Sequence, residues 1–98
     1  MDPACELLFE ALAVSTRRMI FERLCDGEQA IGPLVEMTGV SRQAVLKHLR
    51  VLMLAGVVYD RPRHARYRYS ARREGIAPLM AWVNAGSGSF GEKLSRNC

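Results

Sequence analysis

A mainly helical chain with one small β-hairpin is the fold class this sequence predicts, and three observations predict it. Apolar residues recur at helical spacing in five segments, several opened by Asp, Ser or Thr and several ended by Gly. Two β-branched or aromatic runs, Val57 to Arg61 and Arg66 to Ser70, flank Pro62-Arg63-His64-Ala65, which reads as a hairpin. The third observation is charge. From Arg42 to Arg73 there are nine Lys/Arg and one acid, Asp60, a local charge of +8, whereas residues 1–41 carry −4. The formal net charge of +4 therefore hides a strongly basic helix and hairpin, and one sign of charge concentrated there points to a polyanion as partner.

The elements follow in order. Asp2 caps a first helix with Pro3 at its first position, where the missing N–H costs nothing. Ala4, Cys5, Leu7, Leu8, Phe9, Ala11 and Leu12 cover more than half its circumference, leaving Glu6 and Glu10 as the wet side. One small core rarely needs so wide a stripe, so part of it is expected to meet a second subunit. Ser15 or Thr16 opens a second helix through Asp26, stopped by Gly27, with Ile20, Phe21 and Leu24 inward. Gln29-Ala30-Ile31 reads as a single edge strand, and Gly32-Pro33 opens a short third helix, Leu34 to Thr38, closed by Gly39. Ser41 caps a fourth helix that runs to Ala55 and ends at Gly56. In the hairpin, Tyr67 and Tyr69 share one face while Arg66 and Arg68 share the other. Ile76, Leu79, Met80 and Val83 give a nearly uncharged fifth helix, which Pro78 requires to start near Ile76. The order α-α-β-α-α-β-β-α, with a tight turn between helices three and four, is that of a winged helix-turn-helix. The 98 residues make one domain over residues 1–85, with 86–98 as a flexible or weakly helical tail. Such a chain stands alone only marginally, so a homodimer would help it.

The fourth helix divides cleanly. Ala44, Val45, His48, Leu49, Val51, Leu52 and Ala55 fall in one arc of about 160°. Arg42, Gln43, Leu46, Lys47 and Arg50 fall in the opposite arc. The outward set suits a major groove of double-stranded DNA: Arg or Lys donates to guanine, Gln pairs with adenine, and an aliphatic group meets a thymine methyl. Recognition helices present their N-terminal residues to bases, which selects Arg42, Gln43 and Lys47. Ser41 and Arg50, with Arg61, Arg63, His64, Arg66 and Arg68 of the hairpin, are expected on phosphate or minor groove. A merely solvated polar face is the competing reading of the helix, and the hairpin arginines, with almost no acids to relieve them, weigh against it. His64 reads equally as a solvated turn residue. His48, in the apolar arc, reads as a hydrogen-bonded core histidine rather than a DNA or metal contact.

These pieces resemble the ArsR/SmtB family of winged-helix bacterial repressors. The matching stretches are F-E-A-L-A-V-S-T-R-R-M-I-F-E-R-L (Phe9 to Leu24), V-S-R-Q-A-V-L-K-H-L-R-V-L (Val40 to Leu52), A-G-V-V (Ala55 to Val58) and R-Y-R-Y-S (Arg66 to Ser70). The resemblance covers roughly residues 5–83. It implies a homodimer joined through the first and last helices, here Leu7, Leu8, Ala11, Leu79, Met80 and Val83. It also implies a repressor bound to an inverted-repeat promoter operator until a signal releases it. Leu46 departs from the family, where a small hydroxyl residue is common. The family's metal sites are missing: Pro33 to Thr38 reads P-L-V-E-M-T without a thiol, and residues 74–85 hold no Asp or His. No metal and no cofactor is therefore expected. From Trp82 onward the chain looks like the subgroup without known metal sites, whose members often act as autoregulators or respond to protein partners. An unknown effector or protein partner is the expected signal.

Two other readings stay open. Cys5, Cys25 and Cys98 offer thiols for arsenite, zinc or redox/persulfide sensing, but their spacing forms no ligand motif. A winged helix can also serve protein–protein contact. An enzyme is not expected, because neither a phosphate-binding G-x-x-x-x-G-K-[ST] loop nor an H-E-x-x-H pair occurs. An odd cysteine count, no signal-peptide pattern and no apolar run near the roughly 20 residues of a membrane span point to the cytoplasm, at the nucleoid through DNA.

Overall fold

A computed structural model describes residues 2–63 and 66–85 of the chain. The elements run α1 (Pro3–Leu12), α2 (Ser15–Cys25), α3 (Ile31–Thr38), α4 (Arg42–Leu54), β1 (Val58–Arg63), β2 (Arg66–Ala71), a 3-10 turn (Arg73–Ile76) and α5 (Ala77–Ala85). This is a mainly helical winged helix-turn-helix. Asp2 caps α1 by accepting from the Ala4 amide at 3.1 Å, and Ser41 caps α4 by accepting from the Ala44 amide at 3.1 Å. Gly39 ends α3 in the left-handed conformation at φ 72°, which turns the chain straight into α4.

The core forms where four helices converge under the base of the hairpin. Val45, Leu49 and Leu52 of α4 are fully buried against Leu8 and Ala11 of α1, Ile20 and Leu24 of α2, and Leu34 of α3. Val57, Val58 and Tyr69 close it from the wing side. α1 lacks a basic residue in its last turn, and α2 supplies the missing donors. Arg17 donates to the Ala11 and Glu10 carbonyls at 2.7 and 2.9 Å, and Arg18 donates to that of Leu12 at 2.6 Å. Those contacts satisfy carbonyls a helix leaves orphaned and place positive charge at its negative end.

Three expectations change. Only Gln29 pairs in the predicted 29–31 strand, exchanging backbone bonds with Tyr69 at 3.0 and 2.8 Å. Ile31 is lost to α3, which starts three residues before Leu34 because Pro33 is tolerated in a first helical turn. The hairpin strands are longer than predicted and include Pro62 and Arg63, opposite Tyr67 and Arg66. Proline fits because β1 is an edge strand, free on its other side. The predicted turn residues His64 and Ala65, like the tail 86–98 with Cys98, lie outside the described residues. The fifth helix begins after the 3-10 turn, with Pro78 at its second position as its ring demands.

One close approach was invisible in the sequence. Gly56 turns the chain from α4 into the wing at φ 81°, and Gly75 lies so near that a Cβ there would collide with the Gly56 carbonyl. The colliding atoms are backbone and cannot rotate away. Gly75→Ala should therefore cost about 2–3 kcal/mol, read as a lower urea midpoint, whereas Gly32→Ala, which meets nothing within 4 Å, should leave the midpoint nearly unchanged.

Candidate nucleic-acid interface

α4 sets the geometry of the exposed basic surface. Its buried stripe leaves Arg42, Gln43, Lys47 and Arg50 exposed, with Ser41 exposed at the cap. Leu46 is different: it is half-buried and turns toward the wing. Together with Arg42 it faces Tyr67 and Tyr69 of β2 across a groove, and Ile31 and Pro33 of α3 line its other side. The fourth helix and the wing therefore flank one depression. Arg42 lies in its lining, while Arg61 and Arg68 alternate with Tyr67 and Tyr69 along the hairpin and stand on the other face of the wing.

The wing holds like charges opposite one another. The register pairs Arg61 with Arg68 and Arg63 with Arg66. Arg61 and Arg68 are exposed, and like charges directly opposite on two strands repel. Arg61 gains a cation–π contact from Tyr59, 5.7 Å from the ring centroid, which does not neutralise it. Among the described residues the ion pair is Arg72 with Glu74 at 3.3 Å. None of Arg42, Lys47, Arg50, Arg61 or Arg68 has a carboxylate partner within that set. Nothing is described of the side chains of Arg63, His64 and Arg66.

The last two arginines of the basic segment belong to the fold instead. Arg73 donates to the Cys25 carbonyl at 2.8 Å, at the C-terminus of α2, and Arg72 holds Glu74. Sequence alone could not separate them from the wing arginines, because only tertiary contact assigns them partners.

His48 is half-buried and its Nδ1 lies 3.4 Å from an Arg17 Nη, so Nδ1 accepts and the ring is neutral. Burial lowers its pKa from the ordinary 6.5, and the positive charges of Arg17 and Lys47 lower it further. Tyr69, buried at 7% exposure, has its hydroxyl pKa raised by burial and then by Asp60, with Arg42 pulling the other way.

The residues expected at a dimer face divide. Leu8 and Ala11 are wholly buried in the protomer's own core and have no surface left for a partner. The wide stripe on α1 divides in two: Cys5, Leu8 and Ala11 are buried, while Leu7 and Phe9 stay 44% and 41% exposed. On α5, Leu79 packs against the core, but Met80 and Val83 remain 52% and 42% exposed. The Phe9 and Trp82 rings meet edge to face at 5.3 Å, joining α1 and α5 into one apolar surface.

Among the described residues no group of three His, Cys, Asp or Glu is placed to hold a metal ion, and no helix is long and apolar enough to cross a membrane. Cys5 is buried and Cys25 is half-buried, both unpaired.

Comparison with known proteins agrees with this architecture. The family described as bacterial regulatory protein, arsR family, matches residues 15–60. The chain is 42% identical to the HTH-type transcriptional regulator Rv2034 of Mycobacterium tuberculosis, over 82% of this chain and 79% of that protein. It is 26% identical to the transcriptional repressor SdpR of Bacillus subtilis, covering 78% and 84% of the two chains. The homodimeric winged helix-turn-helix DNA-binding domain of Mb0332 from Mycobacterium bovis superposes with a TM-score of 0.69 at 27% identity, covering 92% and 83%.

The lowered His48 pKa fixes a direction for stability. The unfolded chain binds a proton near pH 6.5 and the folded chain only at lower pH. The contribution is therefore fully present above 6.5 and lost as pH falls through the window below it. The urea midpoint should fall more steeply between pH 7 and pH 5 in the wild type than in His48→Gln. Parallel pH profiles would refute a neutral, Arg17-bound His48.

Proposed function

The chain belongs to the ArsR family of bacterial regulatory proteins, and from that premise we propose that this DNA-binding transcriptional regulator is a dimeric repressor of an inverted-repeat operator. In this reading two copies of α4 enter successive major grooves, about 34 Å apart. Arg42, Gln43 and Lys47 face base edges, and Ser41 and Arg50 hold the flanking phosphates. The hairpin, with Arg61, Arg63, His64, Arg66 and Arg68, lies along the neighbouring backbone.

One observation carries this reading. Exposed Arg61 and Arg68 are held opposite one another on the wing, without a carboxylate partner among the described residues to relieve them. A folded chain tolerates such repulsion most readily where an external anion relieves it, and a duplex supplies one charge per roughly 1.7 Å. Dimerisation is supported by the exposed apolar surface of Leu7, Phe9, Met80 and Val83, on the apolar side of α1 and on α5, which carries no charged residue. A bound dimer would cover about one helical turn between its half-sites and exclude other proteins from that stretch of promoter. This is the physical basis of repression.

Replacing Arg61 and Arg68 together with Ala removes four arginines from a bound dimer, and should weaken binding to every duplex alike and reduce the salt slope of log K by up to about 4. Fluorescence anisotropy over a salt series reads both, and an unchanged slope would remove the wing from the interface. Gln43→Ala should instead change the preferred sequence at one position of the half-site, by about 1–3 kcal/mol. Selection of duplexes from random-sequence DNA checks this, and a uniform loss of affinity would count against base contact.

The dimer reading has its own test. The wild type should sediment as a dimer at low micromolar concentration, and Leu7→Glu with Met80→Glu should sediment as a monomer with weakened operator binding. A monomeric wild type that still binds the inverted repeat tightly would overturn it.

A further inference from the structure

The groove between α4 and the wing has features that DNA contact does not require. Its volume is about 520 Å³, inside the roughly 300–1,000 Å³ range of small-molecule sites. Ile31, Pro33 and Leu46 give it an aliphatic floor, and among the described lining residues Arg42 supplies the one formal charge. The polar side chains that remain are Tyr67, which is 58% exposed at the rim, and Tyr69, buried below it. Tyr69 keeps its proton, and its hydroxyl makes no hydrogen bond to another described side chain. A phosphodiester backbone gains little from aliphatic carbon. A ring carrying a negative group matches the whole lining: apolar area against the floor, aromatic edges beside it, and a guanidinium with phenolic donors for the anion.

We propose that this groove binds a small amphipathic anion, an aromatic or alicyclic carboxylate, whose carboxylate meets Arg42 and whose ring lies on Leu46 and Ile31, and that occupancy displaces DNA. The displacement rests on Arg42 facing DNA as proposed above; the binding itself does not. Arg42 cannot serve a carboxylate in the groove and a base edge together, and this competition gives a chain without a metal cluster among its described residues a route to release.

The test uses the full chain with 2-naphthoate as probe. Neutral 2-naphthamide and inorganic phosphate separate the amphipathic anion from ring alone and charge alone. Isothermal titration should show one naphthoate per chain, naphthamide about tenfold weaker or more, and no displacement of naphthoate by phosphate. Gly32 lines the groove and a Cβ there would meet nothing within 4 Å, so Gly32→Leu has room to place apolar bulk at the site. Gly32→Leu should lose the probe and keep DNA affinity, and naphthoate should no longer release its DNA. Tyr69→Phe, which keeps the buried ring, should weaken the probe several-fold as a second reading should Gly32→Leu fold poorly.

The proposal is overturned if the wild type fails to bind naphthoate, if Gly32→Leu folds and binds it as well as the wild type, or if bound naphthoate leaves DNA affinity unchanged. It is overturned equally if Gly32→Leu folds and loses DNA together with the probe, because the groove is then part of the DNA surface. Failure of the DNA reading shows separately. Arg42→Ala would then leave DNA affinity untouched and remove displacement, while its loss of naphthoate would still uphold the anion site.

Discussion

Burial of one stripe of α4 is the constraint on which the rest of the structure depends. Val45, Leu49 and Leu52 have no exposed surface, and three other helices converge on them. Each such side chain contributes about 1.5–3 kcal/mol by leaving water, so rotating α4 about its axis would forfeit most of the core. The rotation that buries those residues also presents Arg42, Gln43, Lys47 and Arg50 outward. The outward face proposed to read DNA is thus the complement of a packing decision. The same decision places Leu46 at the edge, half-buried, where it faces the wing rather than open solvent.

Charge is then sorted by what lies near it. Arg17, Arg18 and Arg73 are spent on helix carbonyls, where they satisfy acceptors and oppose the helix dipole. Arg72 has its own carboxylate. Exposed Arg61 and Arg68 have neither, and the hairpin register sets them face to face. Electrostatic repulsion left standing between paired strands supports the proposed contact with an external anion more sharply than the count of basic residues does. His48 belongs to the first group: it is held by Arg17 at the junction of α2 and α4, away from the outward face.

Much of this was legible in the sequence because periodicity and capping are local. Pro3 after Asp2, Ser41 before the fourth helix, and the two arcs of that helix mark their elements within a few residues. The helices expected from Ser15 and from Ser41 differ from those observed only at their ends. The short strand at Gln29 was read too long, since Ile31 could serve a strand or a helix and only packing chose. Among the site residues, the outward arc was legible for the same local reason. The split among Leu7, Leu8 and Ala11 was not, because a helical stripe shows apolar width and cannot say which neighbour covers each part. The groove was likewise hidden: Tyr67 and Tyr69 share a strand face by period 2, yet nothing local says that Leu46 and Arg42 lie across from them.

The sequence by itself determined the five helices, the hairpin, the basic segment from Arg42 to Arg73 and the division of the fourth helix into two faces. Each depends on residues a few positions apart, where backbone geometry alone decides which side chains are neighbours. The tertiary structure decided which arginines are free, that Leu8 and Ala11 belong to the protomer's own core, that Gly75 must admit the Gly56 backbone, and that α3, α4 and β2 enclose a groove. Those facts join residues far apart in the chain. Their physical cause is the shared burial of several elements at once, which no single segment encodes.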